Sequence, residues 1–542
     1  MKFSSSFFIL FFLCLAGFGQ SPPSYWIGFT DKLNNSYSID APEAFLSKRS
    51  LDRRIKQDIS IDSTDLPVSN LYVDSLANLG LNIRYASKWM NGVVFTTEDT
   101  TLLDTITSIS FVNKLEFIRK KDTAKTTWQE KSRSKDNFFD YGNALNQIEM
   151  LNGHILHNQG FRGDDMLIAV LDAGFLFMPG VSVFNHLFTN GRIIETRDYV
   201  KSGDNVYGWH THGVAVMGIL AGEQESRFVG TAPRAEFILI RTEDAATEQR
   251  IEEYNWIAGA EFADSLGADV FNVSLGYKDF DLPEWDYDNT ETDGETAPIS
   301  IAAGMAAQKG ILLIIAAGNE GDDPDRKIGV PADANNVLTV GSVDSTGYYS
   351  PFSSIGYTAD GRVKPDVVAQ GSQAYYMNND NEVVAGNGTS FASPIIAGLS
   401  ACLWQAHPNK SNMEIINAIR QSAHLYDNPN DSLGYGIPDF AAANLLLENI
   451  QFSAFDNEQL VSIYPNPVQN SLNMHFYSVD TQQITIQIYN VSGKLMLEDE
   501  KNVHRTSYNT YTYPDAALLP GGLYILEVIT KDHVYSQKFM KK

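Results

Sequence analysis

An aspartate, a histidine, an asparagine and a serine stand in the middle of this 542-residue chain where strands end or helices begin. Together they form a constellation of polar groups at strand and helix ends, where α/β sites form. Asp172 closes the apolar run Met166 to Leu171 and precedes Ala173 and Gly174, so a carboxylate falls at the carboxyl edge of a predicted parallel strand. His212 lies within Trp209 to Gly218, where small residues let a helix pack closely on a sheet, and its imidazole titrates near neutrality as a general base must. Asn319 closes the run Ile314 to Gly318, so its amide could donate to a developing oxyanion. Ser390 sits in Gly386-Asn387-Gly388-Thr389-Ser390-Phe391-Ala392-Ser393-Pro394, ahead of Ile395, Ile396, Leu399 and Leu403 at helical spacing. Its hydroxyl is thus expected at a helix amino end, with Pro394 in the first turn.

Each residue also has an ordinary reading. An aspartate at such a turn is often only a cap, a serine before a helix likewise, and an asparagine before Glu320-Gly321 a turn residue. His210 and His212 could ligate a metal, although alternate helical positions diverge and no third ligand is evident nearby. The order Asp, His, Asn, Ser within one α/β pattern is what favours chemistry over four unrelated caps.

The surroundings of Asp172, of His212-Gly213, of Ala316 to Asn319 and of Gly388 to Pro394 resemble the four sequence blocks of the subtilisin family, in the chain order of that family. The resemblance runs from about Asn143 to Leu447. It implies a secreted serine endopeptidase in which Ser390 is the nucleophile, His212 the general base and then acid, Asp172 the group fixing the imidazole tautomer, and Asn319 an oxyanion donor beside the Ser390 N–H. It further implies that Ser274, Leu275 and Gly276 form a substrate-binding edge facing a pocket wall of Ala316, Ala317 and Gly318, where an extended polypeptide adds as a strand. The block after the histidine departs from the family, reading Gly213-Val214-Ala215-Val216-Met217-Gly218. No cofactor is required for the chemistry. A structural calcium ion is compatible with the family, but the acidic stretch Asp279, Asp281, Glu284, Asp286, Asp288, Glu291, Asp293 and Glu295 matches no calcium-loop spacing, so no ligands are assigned. That stretch is expected to be a solvated surface loop. The rival class is a silent binding or adhesion protein on a peptidase scaffold.

The elements that must position these groups follow from periodicity. Buried-strand runs at Leu167 to Leu171, Phe237 to Ile240, Asp269 to Val273, Ile311 to Ala316 and Val337 to Val340 alternate with helical patterns. The expected fold class is therefore α/β, a doubly wound parallel sheet over about residues 137–450. Before it, short strands (Tyr25 to Phe29, Gly92 to Thr97, Leu115 to Ile118) mix with helices (Ala44 to Lys56, Leu71 to Leu79), which predicts a small α+β domain within 20–136. By position it resembles a subtilisin prodomain, a folding aid and inhibitor that is later cut away. A basic linker from Arg119 to Asn137, carrying Lys120, Lys121, Lys125, Lys131, Arg133 and Lys135, is expected to be exposed and cleavable. After it, residues 460–542 alternate as strands and predict a small all-β sandwich. Tyr464-Pro465-Asn466-Pro467 and Gly521-Gly522-Leu523-Tyr524 resemble the sorting domain of type IX secretion in Bacteroidota, which implies the outer-membrane secretion machinery as a partner; a carbohydrate- or protein-binding sandwich is the alternative.

Composition agrees with export. Met1 and Lys2 precede the apolar run Phe7 to Phe18, with Gly17 and Gly19 at a cleavage-site spacing, so residues 1–19 read as a signal peptide. Of the two cysteines, Cys14 lies in that leader and Cys402 in an apolar helix, which leaves no intramolecular disulfide. A net charge of -26 repels phosphates and excludes nucleic acid as the expected partner.

Overall fold

The computed structural model describes residues 22–120, 141–324, 327–448, 461–464, 466–468, 471–478, 482–503, 507–531 and 533–542. The leader with Cys14 and the basic linker beyond Lys120 lie outside the described residues.

The amino-terminal domain is a four-stranded antiparallel sheet of β1 (Ser24–Phe29), β2 (Asn82–Ser87), β3 (Gly92–Thr96) and β4 (Val112–Arg119), ordered β2-β3-β1-β4. It carries helices α1 (Lys48–Lys56) and α2 (Asn70–Asn78). Every residue of β1 is buried because the strand has an occupied surface on both sides. Tyr25, Ile27 and Phe29 pack into the domain's own core with Leu76 and Phe95, and Trp26, one step out of phase, stacks on Tyr254 of the central domain with ring centroids 4.8 Å apart. Arg119, expected at the start of the linker, instead ends β4 and is buried. Its aliphatic stem and neighbours belong to the docked sheet, which a reading of charge alone cannot see.

The central domain is built on seven parallel strands: β5 (Leu167–Asp172), β6 (Ile193–Asp198), β7 (Glu236–Arg241), β8 (Val270–Val273), β9 (Leu312–Ala316), β10 (Leu338–Val343) and β11 (Val367–Gln370). Their order is β11-β10-β9-β8-β5-β7-β6. Alternate residues of β5 feed two cores. Ile168 and Val170 face helices α3 (His212–Ala221) and α5 (Thr389–Ala406), whereas Leu167, Ala169 and Leu171 face helix α4 (Ile251–Leu266). Both faces are covered, which is why the strands read as continuous apolar runs. The two strands absent from the sequence reading are the outer ones: β6 is a partly exposed IIETRD and β11 has only four residues.

Helix α4 is also where the amino-terminal domain docks. Asp264 on α4 accepts from Arg53 and, at 3.0 Å each, from Arg54 and Lys88, all four side chains being buried. Arg54 reaches Asp65 as well, at 2.7 Å. Burial alone would raise the Asp264 pKa, but these three cations hold it well below the usual carboxylate range. A depressed folded value makes its contribution present at neutral pH and lost only as pH falls through that very low value, so mild acid leaves this contact intact. Asp264→Asn should leave the buried Arg53 and Lys88 without their carboxylate, Arg54 keeping Asp65, and weaken docking by about 3 to 5 kcal/mol. Hydrogen exchange across β1 and β3 of the intact chain should rise accordingly; unchanged protection would refute the role assigned to this carboxylate.

The carboxyl-terminal domain comprises β12 (Val461–Tyr464), β13 (Leu472–Ser478), β14 (Gln482–Asn490), β15 (Leu495–Val503), β16 (Ser507–Tyr513), β17 (Gly522–Ile529) and β18 (Val534–Lys541). Two antiparallel sheets, β12-β13-β16 and β15-β14-β17-β18, share one core of Leu472, Met474 and Phe476 against Ile484, Ile486, Ile488, Leu526 and Val528. This is the expected sandwich. No helix of the described residues is long and apolar enough to cross a membrane.

Candidate active site

Asp172 is the last residue of β5, at the carboxyl edge of the sheet, and only 1% exposed. Its Oδ1 accepts from the N–H of Ala173 at 2.8 Å, which fixes the carboxylate rotamer. His212 opens α3, and its Nδ1 lies 3.0 and 2.9 Å from the two Asp172 oxygens. The pair can meet because Gly213 and Gly174 let the helix touch the strand-end loop: Gly213 N–H donates to Gly174 O at 3.1 Å, and a Cβ on Gly213 would lie 2.5 Å from that oxygen. The small residues after the histidine have the packing role the sequence assigned them.

The imidazole is 27% exposed. Its partial burial opposes protonation, but the Asp172 charge and hydrogen bond outweigh burial and raise the His212 pKa above its ordinary value. The two consequences run in opposite directions. A raised folded pKa gives stability that is present in full below the unfolded value and is lost as pH rises through the folded one. A general base must be neutral, so activity is gained over that same rise. The acid limb of kcat/KM should therefore have its midpoint above the ordinary histidine value of about 6.5, and Asp172→Asn should move it down. A midpoint that ignores Asp172→Asn would contradict the pairing.

Ser390 is the second residue of α5. Pro394, expected in the first turn, is the sixth residue of that helix, so its missing N–H deprives the Ser390 carbonyl of its helical donor. Ser274 supplies the bond: its Oγ donates to Ser390 O at 3.0 Å, and Asn272 Nδ2 donates to Ser274 Oγ at 2.9 Å. Ser393 Oγ closes the set on Asn272 Oδ1 at 3.2 Å. The proline break is thus repaired from β8, which ties the serine to the substrate-binding edge. Among the described residues Ser390 Oγ makes no hydrogen bond, to His212 or elsewhere. The Phe391 ring beside it lies 6.3 Å from the His212 ring, which brings the start of α5 against the histidine.

Asn319 follows β9, after Gly318 at φ +107°, a left-handed turn where a Cβ would also strike Glu320 Oε2 at 2.3 Å. Asn319 Oδ1 accepts from Thr389 N at 2.9 Å and from Thr389 Oγ1 at 3.2 Å. With its oxygen so engaged, the Nδ2 donors remain for another acceptor. Thr389 is the functional neighbour to which the sequence gave no role, although it stands inside the block that singled out Ser390.

A cavity of about 90 Å³ opens beside Ser390. Ser274, Leu275, Gly276, Ala316, Ala317, Gly318 and Asn319 all line it, with Thr389. Tyr277, Lys278, Glu320, Gly329 and Ala332 complete it. The first three are chain neighbours of predicted residues, but Gly329 and Ala332 arrive from a loop that no local pattern connects to the site. A larger cleft of about 800 Å³ lies between α1 and the Phe161 and Trp404 side of the central domain and contains none of the candidate residues.

His210 Nδ1 accepts from the N–H of His212 at 3.2 Å, so that ring caps the start of α3. Among the described residues no three histidine, cysteine or carboxylate side chains are grouped to hold an ion. In the acidic stretch Asp286, Asp288, Glu291 and Asp293 accept from nearby backbone N–H groups. The loop is not wholly solvated: Phe280, Trp285 and Tyr287 are buried, whereas Asp279, Asp281, Glu284, Asp288 and Glu295 are exposed. Cys402 is buried, donates to Thr231 O at 3.3 Å, and has its thiol pKa pushed up by burial.

A doubly wound parallel sheet with polar groups gathered at its carboxyl edge is the architecture of the subtilisin-like serine peptidases, and fold and site together point to that class. The chain belongs to the subtilase family, whose description matches residues 163–436. Residues 24–136 match the Peptidase S8 propeptide domain, Bacteroidota, and residues 462–542 the Secretion system C-terminal sorting domain. Subtilisin NAT of Bacillus subtilis subsp. natto is 30% identical over 285 residues, 52% of this chain and 66% of that protein. Subtilisin DY of Bacillus licheniformis is 27% identical over 291 residues, 53% of this chain and 93% of that protein. The solved structure of MycP1 from the ESX-1 type VII secretion system is 22% identical, with a TM-score of 0.44, covering 59% of this chain and 88% of that one.

Proposed function

We propose that this chain is a secreted serine endopeptidase that hydrolyses polypeptides through an acyl-enzyme. The observation that carries the proposal is the Asp172–His212 pair at 2.9 and 3.0 Å, set against the α5 start that bears Ser390 and the Thr389-held amide of Asn319. Asp172 holds the Nδ1 proton, which leaves Nε2 as the base. Ser390 Oγ gives its proton to Nε2 and attacks the scissile carbonyl; the hydrogen bond between them forms with substrate in place, as catalytic contacts in free enzymes commonly tighten on binding. The oxyanion is met by Asn319 Nδ2 and the Ser390 N–H, the protonated His212 delivers its proton to the leaving amine, and water then releases the acyl group by the reverse roles.

In this reading the substrate lies along Ser274 to Gly276 with a side chain in the cavity walled by Ala316 to Gly318. The amino-terminal domain acts as an inhibitor until the linker is cut, and the carboxyl-terminal sandwich hands the chain to the type IX machinery at the outer membrane, for release or surface attachment. The net charge of -26 gives nucleic acid no foothold. The chemistry needs no metal.

Fluorophosphonate labelling tests the central claim. Processed protein should acquire one adduct rapidly, on Ser390, whereas the unprocessed chain should react slowly. Processed protein that stays unlabelled would favour a silent scaffold instead.

A further inference from the structure

Resting on that peptidase reading, the register of the sheet raises a question about its aspartate. In the parallel register Asp172 of β5 pairs with Arg241 of β7, and Arg241 pairs in turn with Asp198 of β6. Matched positions on adjacent parallel strands project to one face. A guanidinium 3% exposed therefore lies between carboxylates 1% and 3% exposed, in one row at the carboxyl edge. Bound to Asp172, it would compete with His212 for the same oxygens.

The observed contacts go elsewhere. Arg241 Nη1 donates to Asp198 Oδ2 at 3.2 Å, and its Nη2 lies 3.8 Å from Asp244. Arg241 Nε donates to Ala173 O at 3.0 Å, and the guanidinium carbon sits 4.4 Å from the centre of the Trp209 ring. Among the described residues no ion pair joins Arg241 to Asp172. Asp198 is itself fixed, its Oδ1 accepting from Val200 N at 2.8 Å and Lys201 N at 2.9 Å. Ala173 is the residue whose N–H locks Asp172, and Trp209 stands in the loop that leads into His212.

We propose that Arg241, tethered by Asp198, is a positioning residue that braces the Asp172 loop and the His212 loop against each other. Asp198 draws the cation aside, so the Asp172 carboxylate stays with the imidazole. Asp198, Asp244, Glu243, Asp172 and His210 are the titratable groups around the guanidinium, with Arg119 of the docked domain beyond Asp244.

The test uses the full chain, with Arg241→Met, Asp198→Asn and the double variant, and two readouts. One is kcat and KM per fluorophosphonate-titrated site. The other is the His212 titration by NMR in a Ser390→Ala background, which needs no turnover. Both single variants should lose about 10- to 100-fold in kcat with KM within about threefold, the loss expected of a small misplacement at the reacting centre. The His212 midpoint should fall towards the ordinary histidine value, and the double variant should be no worse than Arg241→Met, because both changes cut one tether. A variant that is merely less stable, with kcat per titrated site and the His212 midpoint both unmoved, would overturn the proposal. If Arg241→Met yields no folded protein, Asp198→Asn decides by the same readouts, since it keeps the acceptor for Val200 and Lys201. A wild-type chain that neither labels nor turns over would sink the peptidase reading, while the NMR titration would still decide the role of Arg241.

Discussion

Ser390→Ala leaves a chain that folds, keeps its amino-terminal domain attached, and hydrolyses casein about 10⁶-fold more slowly than the processed wild type, the loss established for the matching change in subtilisin itself. The fold should survive because the hydroxyl has no hydrogen-bond partner among the described residues, so its removal leaves nothing orphaned. The backbone around it is held by other groups: Ser274 bonds the Ser390 carbonyl and Asn319 bonds the Thr389 N–H. A change in stability of roughly 0.5 kcal/mol or less is expected. Thermal unfolding of the two chains, both kept unprocessed, checks this half; casein hydrolysis checks the other. Casein turnover by Ser390→Ala within tenfold of wild type would mean that another group is the nucleophile, and the proposed acyl-enzyme mechanism would be wrong.

The candidate site residues are legible because each lies next to a strong local pattern. Asp172 ends a six-residue apolar strand, and Ser390 opens a helix announced by Ile395, Ile396 and Leu399. Local pattern also shows the alternation of the carboxyl-terminal strands. It failed where a residue is defined by what it meets across the fold. Arg119 read as linker charge, yet it ends a buried strand because a second domain covers it. Pro394 read as a tolerated first-turn proline, and its consequence, a carbonyl handed to Ser274, needs both elements in view. Arg241 sits at the end of an ordinary buried strand, and only the register with Asp172 and Asp198 gives it meaning. Gly329 and Ala332 reach the cavity from a loop without periodicity. Sequence periodicity reports which side of an element is buried; it does not report the partner.

Asn319 offers the sharpest separation of transition-state binding from substrate binding. Its Oδ1 is occupied by Thr389 in the free protein, so the group available to substrate is the Nδ2 donor. A ground-state carbonyl lies in the plane of its amide, whereas the oxyanion of the tetrahedral intermediate moves towards such a donor and carries the charge that makes the bond strong. Asn319→Ala should therefore lower kcat by about 10²- to 10³-fold, a magnitude known from subtilisin, and leave KM within a few-fold. Truncation also removes the acceptor for the Thr389 N–H, so a second substitution isolates the donor. Asn319→Asp keeps that acceptor, loses the N–H groups and places a negative charge beside the developing one. It should preserve the start of α5 and still be at least as slow as Asn319→Ala. If Asn319→Asp retained full kcat, the oxyanion would have to be held elsewhere; if either variant raised KM tenfold at unchanged kcat, Asn319 would be a substrate-binding group alone.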